Sequence, residues 1–71
     1  MTDIVLTEIK EGITTVTLNR PQHLNALSVE LRQNLGEVFI KLRNDAETQV
    51  IILTGNGRAF TSGLDLKELG Q

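Results

Sequence analysis

Cysteine is absent from the 71-residue chain, so neither a disulfide framework nor a thiolate metal site can staple it. Histidine occurs once, at His23, which removes the paired-histidine metal motifs. Basic charge is not in excess either: seven Lys and Arg are interspersed with nine Asp and Glu, for a formal net charge of −2. A nucleic-acid binder would normally show a basic patch. Apolar runs stay far short of the ~20 residues a membrane helix needs, and the N-terminal "MTDIVLTEIK" has no basic segment ahead of an apolar core. These absences predict a soluble, cytoplasmic protein with no nucleic-acid partner, no membrane span and no metal. At 71 residues the chain is one small domain or a piece of a larger one, and a unit of this size buries only about 60% of its unfolded surface.

What is present is a change of hydrophobic period. "DIVLTEIK" and "ITTVTLN" are rich in β-branched residues, and Glu11-Gly12 separates them, which predicts a β-hairpin. Pro21 removes a backbone donor and pushes Arg20 out of helical geometry, so the second strand ends near Asn19. From Ser28 onward Leu31, Leu35, Val38 and Leu42 fall at helical offsets, with Leu27 one turn ahead of them. Ser28 is a good N-cap and Glu30 suits the positive end of the helix. Arg32, Gln33, Glu37, Lys41 and Asn44 form the opposite, polar face. Gly36, inside the helix, costs about 1 kcal/mol against Ala or lets another backbone approach. "VIILT", Val50 to Thr54, is a short continuous apolar run and predicts a strand covered on both faces. Strand, helix, strand makes a crossover unit. The tail "LDLKELG" predicts a short helix with Gly70 at its stop. The fold class is α/β.

The loop between the buried strand and the short helix admits several readings. A phosphate-binding loop needs Lys and Ser or Thr to close its glycine run, and here Gly63-Leu64 stand instead. A dinucleotide fingerprint needs a third glycine where "GNGRAF" has Phe60. An oxyanion site built from backbone N–H groups near Leu64, at the entry of the short helix, remains open, as does a plain turn.

Three segments carry a resemblance: "LNRPQHLNAL" at 18–27, "VIILTGNGRAF" at 50–60 and "AFTSGLDLKEL" at 59–69. Their order and spacing resemble the crotonase (enoyl-CoA hydratase/isomerase) superfamily over nearly the whole chain, without pointing to one member. The resemblance implies that residues 1–71 are the N-terminal part of a single crotonase-like domain, a ββα superhelix. It implies that the Leu64 N–H is one of two donors to a thioester oxyanion. Asn25, Ala26, Leu27, Ala59, Ser62, Gly63, Asp65 and Leu66 match segments lining the coenzyme A pocket. Asp65 could equally be only a first-turn acid matched to the helix dipole. The expected ligand is an acyl-CoA thioester, with coenzyme A as part of the substrate and no separate cofactor.

The expected reaction is hydration of a 2-enoyl-CoA, with double-bond isomerisation as the alternative, and the complete family member forms trimers or hexamers. The second oxyanion donor and the acid/base carboxylates lie further downstream in that family. Glu37, Glu47 and Glu68 read as solvated helix faces and His23 as a surface or structural histidine. Arg20 and Arg58 either meet coenzyme phosphates or are ordinary surface residues. The 71-residue chain by itself is therefore expected to be inactive; the alternative from another class is a non-catalytic truncated fragment acting at most as an interaction module.

Overall fold

The computed structural model describes residues 3–69. Gly70, the expected helix stop, lies outside them. Strands β1 (Val5–Lys10) and β2 (Ile13–Leu18) form the hairpin, in antiparallel register from Val5↔Leu18 to Lys10↔Ile13. Their connection is the two-residue turn Glu11-Gly12, with φ of 51° and 81°. Positive φ at both central residues is what a type I′ hairpin turn requires, and its twist matches the strands.

A 3-10 turn at Pro21–His23 follows, then α1 (Val29–Arg43), β3 (Val50–Gly55) and α2 (Leu66–Leu69). Ser28 caps α1 as its sequence position suggests: its hydroxyl accepts from the Leu31 N–H at 3.1 Å. Glu30 stands in the first turn, Lys41 and Arg43 in the last, each complementing the helix dipole. Nothing lies within 4 Å of where a Gly36 Cβ would be, so that glycine serves no close approach.

The helix carries the chain across the sheet, and β3 pairs parallel to β2 from Ile13↔Val50 to Leu18↔Gly55. The sheet order is β1-β2-β3. One face of β2, Thr14, Val16 and Leu18, is buried. Val5 and Leu31 complete the apolar core, with Ile4, Leu27, Leu35, Val38 and Leu42 packed against it. Each fully buried aliphatic side chain contributes about 1.5–3 kcal/mol, so a core this small holds the hairpin to α1 and little more.

The α1–β3 connection is fixed by polar bonds. Thr48 Oγ1 donates to Asp45 Oδ2 at 2.7 Å, and the Glu47 N–H donates to Asp45 Oδ1 at 3.1 Å. Thr48 has one hydroxyl proton, so in the 2.8 Å contact with buried Thr14 the proton comes from Thr14. The Thr48 hydroxyl first, and the Glu47 N–H second, hold the Asp45 carboxyl below its ordinary 3.8, against a smaller opposing effect of burial.

The expected strand at Val50 is present, but its burial is not. Val50, Ile51, Ile52 and Leu53 remain 38–52% exposed. An apolar run reports a preference for burial, while actual burial depends on what packs there. Here α1 lies over the hairpin, and β3 is an edge strand. Among the described residues no helix is long and apolar enough to cross a membrane.

Candidate functional site

Parallel pairing of β2 and β3 has a direct consequence for the loops. Leu18 and Gly55 are register partners at the two strand ends, so loops 19–27 and 56–65 leave the sheet at the same end. In parallel α/β sheets the crevice beyond the carboxyl ends of the strands is where ligands bind.

Asn25 joins these loops. Its side chain accepts from the Arg20 N–H at 2.7 Å and donates to the Asn56 and Ala59 carbonyls at 3.0 and 2.9 Å. Its backbone stands at φ 53°, a left-handed conformation that Asn tolerates better than most residues. Asn25 is fully buried and does not itself line the depression described below. It holds the pocket's walls together instead.

A second junction lies further along. Leu27 and Leu64 form a parallel bridge in which the Leu27 N–H donates to the Gly63 carbonyl at 2.7 Å. Gly63 has φ +94°, a conformation only glycine adopts without strain, and its own N–H donates to Thr61 Oγ1 at 3.1 Å. The Gly63–Leu64 peptide is therefore fixed through its carbonyl. In a trans peptide the N–H points opposite to the C=O, so the Leu64 N–H is directed away from Leu27. That N–H has no acceptor among the described residues.

Leu64 lies on the wall of a depression of about 320 Å³, together with Ala26, Ser62, Asp65 and Leu66 of the expected set. Asn25, Leu27, Ala59 and Gly63 stand behind this wall rather than on it, through the contacts just described. Leu27 packs on the core, and the Ala59 carbonyl is taken by Asn25. Arg20, His23 and Lys67 complete the lining, two of them cationic. Arg58 is exposed and lies elsewhere.

Arg20 and Asp65 have structural duties as well. Arg20 Nη1 donates to the Ala26 carbonyl at 2.8 Å and lies 3.8 Å from Asp65 Oδ2. The other Asp65 oxygen accepts from the Lys67 N–H at 3.1 Å, capping α2, which begins at Leu66 and not at Leu64. Asp65 is thus both a wall residue and the acid that caps α2.

Glu37 and Glu47 are solvent-exposed, as expected. Glu68 does more: its Oε1 accepts from the Val29 N–H at 2.9 Å, tying α2 to the first turn of α1. This contact, and the Thr61 hydroxyl, have no local sequence signal, since their partners lie 39 and 36 residues away. Among the described residues no cluster of His, Cys, Asp or Glu could hold a metal ion.

Residues 8–71 match the family described as Enoyl-CoA hydratase/isomerase. The chain is 45% identical over 64 residues to a hydroxycinnamoyl-CoA hydratase-lyase of Pseudomonas fluorescens, covering 90% of this chain and 23% of that protein. It is 35% identical over 68 residues to the 1,2-epoxyphenylacetyl-CoA isomerase of Escherichia coli K12, covering 96% and 26%. Among solved structures, an enoyl-CoA hydratase from Mycobacterium tuberculosis H37Rv superposes with a TM-score of 0.90 at 46% identity, over 96% of this chain and 31% of that one. The chain spans about a quarter of the length of the curated relatives it matches. With the family's model matched over residues 8–71 and a backbone that superposes on that solved structure, the chain belongs to the enoyl-CoA hydratase/isomerase family and has the fold of that family's N-terminal portion.

Proposed function

We propose that this chain supplies the thioester-binding wall of an acyl-CoA-processing enzyme, and that the complete protein hydrates a 2-enoyl-CoA. The observation that carries the reading is the Leu64 N–H, without an acceptor among the described residues, on a peptide pinned by Leu27 at the wall of the depression. As water adds to C3 of the enoyl group, negative charge moves onto the thioester oxygen. A preorganised N–H stabilises that charge without reorganising, and among the described residues it has no partner to give up. Ala26, Ser62, Asp65 and Leu66 border the ligand, and small side chains at Ala26 and Ser62 let it lie close to backbone. Arg20, His23 and Lys67 suit the phosphates of coenzyme A, which enters as part of the substrate. The acid and base that deliver water and proton, and the second oxyanion donor, belong to the remainder of the protein.

A second reading, double-bond isomerisation, uses the same enolate. It is supported by the description of the matching family, which names isomerase beside hydratase. Incubating the complete protein with 2-enoyl-CoA and 3-enoyl-CoA in separate reactions distinguishes the two: a 3-hydroxyacyl product from the former marks hydration, double-bond migration in the latter marks isomerisation.

The oxyanion role is tested by replacing the Leu64 amide with an ester in the complete protein. Loss of one such donor costs about 2.7–4 kcal/mol, a fall of roughly 10²–10³ in kcat, while coenzyme A binding persists. An ester variant that folds, binds and turns over like the parent removes Leu64 from the chemistry.

A further inference from the structure

The segment carrying Leu64 must be held in place by something, and apolar packing is not available for the task. The Leu64 side chain is 49% exposed, and a Cβ on Gly63 would meet nothing within 4 Å. What remains is hydrogen bonding, and one hydroxyl stands at its centre. Thr61 Oγ1 donates its single proton to the Asn25 carbonyl at 2.7 Å and accepts the Gly63 N–H at 3.1 Å. Leu27 takes the Gly63 carbonyl. Both polar groups of Gly63 are therefore satisfied, one through Thr61 and one through Leu27.

The two attachments differ in what anchors them. Leu27 packs on the apolar core, and Asn25 is fully buried and bonded within its own loop and to Asn56 and Ala59 of the facing one. Thr61 carries Asn25's fixed position to the Ser62–Gly63 peptide, beside a backbone bond in which the Ser62 N–H donates to the Leu24 carbonyl at 2.9 Å. Glycine has the widest conformational freedom of any residue, so a Gly63 released on its N–H side can rotate that peptide. The Gly63–Leu64 peptide is then held by the Leu27 bond alone, and the direction of the Leu64 N–H is set less narrowly.

We propose that Thr61 is a positioning residue for the Leu64 N–H, through the relay Asn25 carbonyl, Thr61 hydroxyl, Gly63 N–H. The inference rests on the reading of Leu64 as donor to a thioester oxygen. Thr61 touches no reacting atom in this scheme. It narrows the orientations of a donor whose contribution depends on alignment with an oxygen that becomes negative only during reaction.

The test compares Thr61→Val, which keeps the shape and removes the hydroxyl, with Thr61→Ser, which keeps the hydroxyl, in the complete protein. The probe is a 2-enoyl-CoA, with kcat and KM measured separately and backbone amide exchange at Gly63 followed in parallel. Losing one neutral hydrogen bond corresponds to roughly a three- to tenfold fall in kcat. The expected result is that fall for Thr61→Val, with KM within about twofold of the parent and faster Gly63 exchange; Thr61→Ser restores all three. Unchanged kcat in Thr61→Val overturns the proposal. So does a rise in KM at constant kcat, which would make Thr61 a ligand contact, or a failure of serine to rescue. A parent protein that binds and turns over no CoA thioester overturns the reading of Leu64 itself, and the positioning role with it.

Discussion

Replacing Asn25 by Ala removes three side-chain hydrogen bonds at once, those to the Arg20 N–H and to the Asn56 and Ala59 carbonyls. At about 1 kcal/mol net for each, the side chain contributes about 3 kcal/mol. Alanine must also adopt the left-handed backbone that Asn25 occupies at φ 53°, which costs about 1 kcal/mol more. The sum, about 4 kcal/mol, compares with a total of about 4–11 kcal/mol for a 71-residue unit at typical stability per residue.

Asn25→Gly isolates the backbone share, because glycine accepts that φ freely; it loses about 3 kcal/mol but not the fourth. Asn25→Asp is the most damaging, since a buried carboxylate would face two carbonyl oxygens that now receive N–H donors. Urea unfolding of the complete protein, followed by circular dichroism, measures all three. The expected order of stability is parent, Gly, Ala, Asp. An Ala variant within about 1 kcal/mol of the parent would refute the clasp, because three buried hydrogen bonds cannot vanish that cheaply. A Gly variant weaker than the Ala variant would refute the backbone assignment.

Gly55→Ala should lower Tm sharply in a thermal melt: its Cβ would lie 2.7 Å from the Ala59 carbonyl oxygen and nearer still to that of Phe60, and backbone on both sides cannot yield as a side chain does. Overpacking of this kind typically costs about 1–3 kcal/mol, and an unchanged Tm would contradict the tight 55–60 turn. Asp45 sets a pH dependence with a definite sign. Its folded carboxyl is lowered from 3.8, so the stability it contributes is present above that unfolded value and is lost as pH falls through the lower, folded one. Acid titration of urea midpoints should show the gap between the parent and Asp45→Asn closing in that window, and a gap that widened in acid would reverse the assignment.

Sequence periodicity revealed the elements because its causes are local. The β-branched runs, the Glu11-Gly12 turn and the Ser28 cap act over a few residues, and each appears where the sequence places it. The burial of β3 was not legible, since an apolar run records a preference and not the neighbour that satisfies it. Asn25 was legible as important but not in its role. A polar residue in a turn can border a ligand or bond to backbone, and its deciding partners, Asn56 and Ala59, lie 31 and 34 residues away. Glu68 is exposed on α2, as a solvated helix face is, but its bond was not legible for the same reason. Nothing near it in sequence announces the Val29 N–H as its partner.

The two halves of the structure are held by different forces, and the difference fits the proposed chemistry. The apolar core of Val5, Val16, Leu18 and Leu31 lies between the hairpin and α1. Beyond the strand ends Phe60, Leu64 and Leu66 are all exposed, so the site loops gain little from burial. Their geometry comes from bonds made by Asn25, Thr61, Arg20 and Asp65. Hydrophobic contact is non-directional and tolerates sliding, whereas a hydrogen bond weakens steeply as its angle departs from linear. A wall that must aim one N–H at a developing charge is better fixed by directional bonds. The same arrangement leaves the Phe60, Leu64 and Leu66 side chains uncommitted within the described residues. Under the proposed function, those apolar surfaces are where the acyl group and the remainder of the domain would make contact, without disturbing the donor.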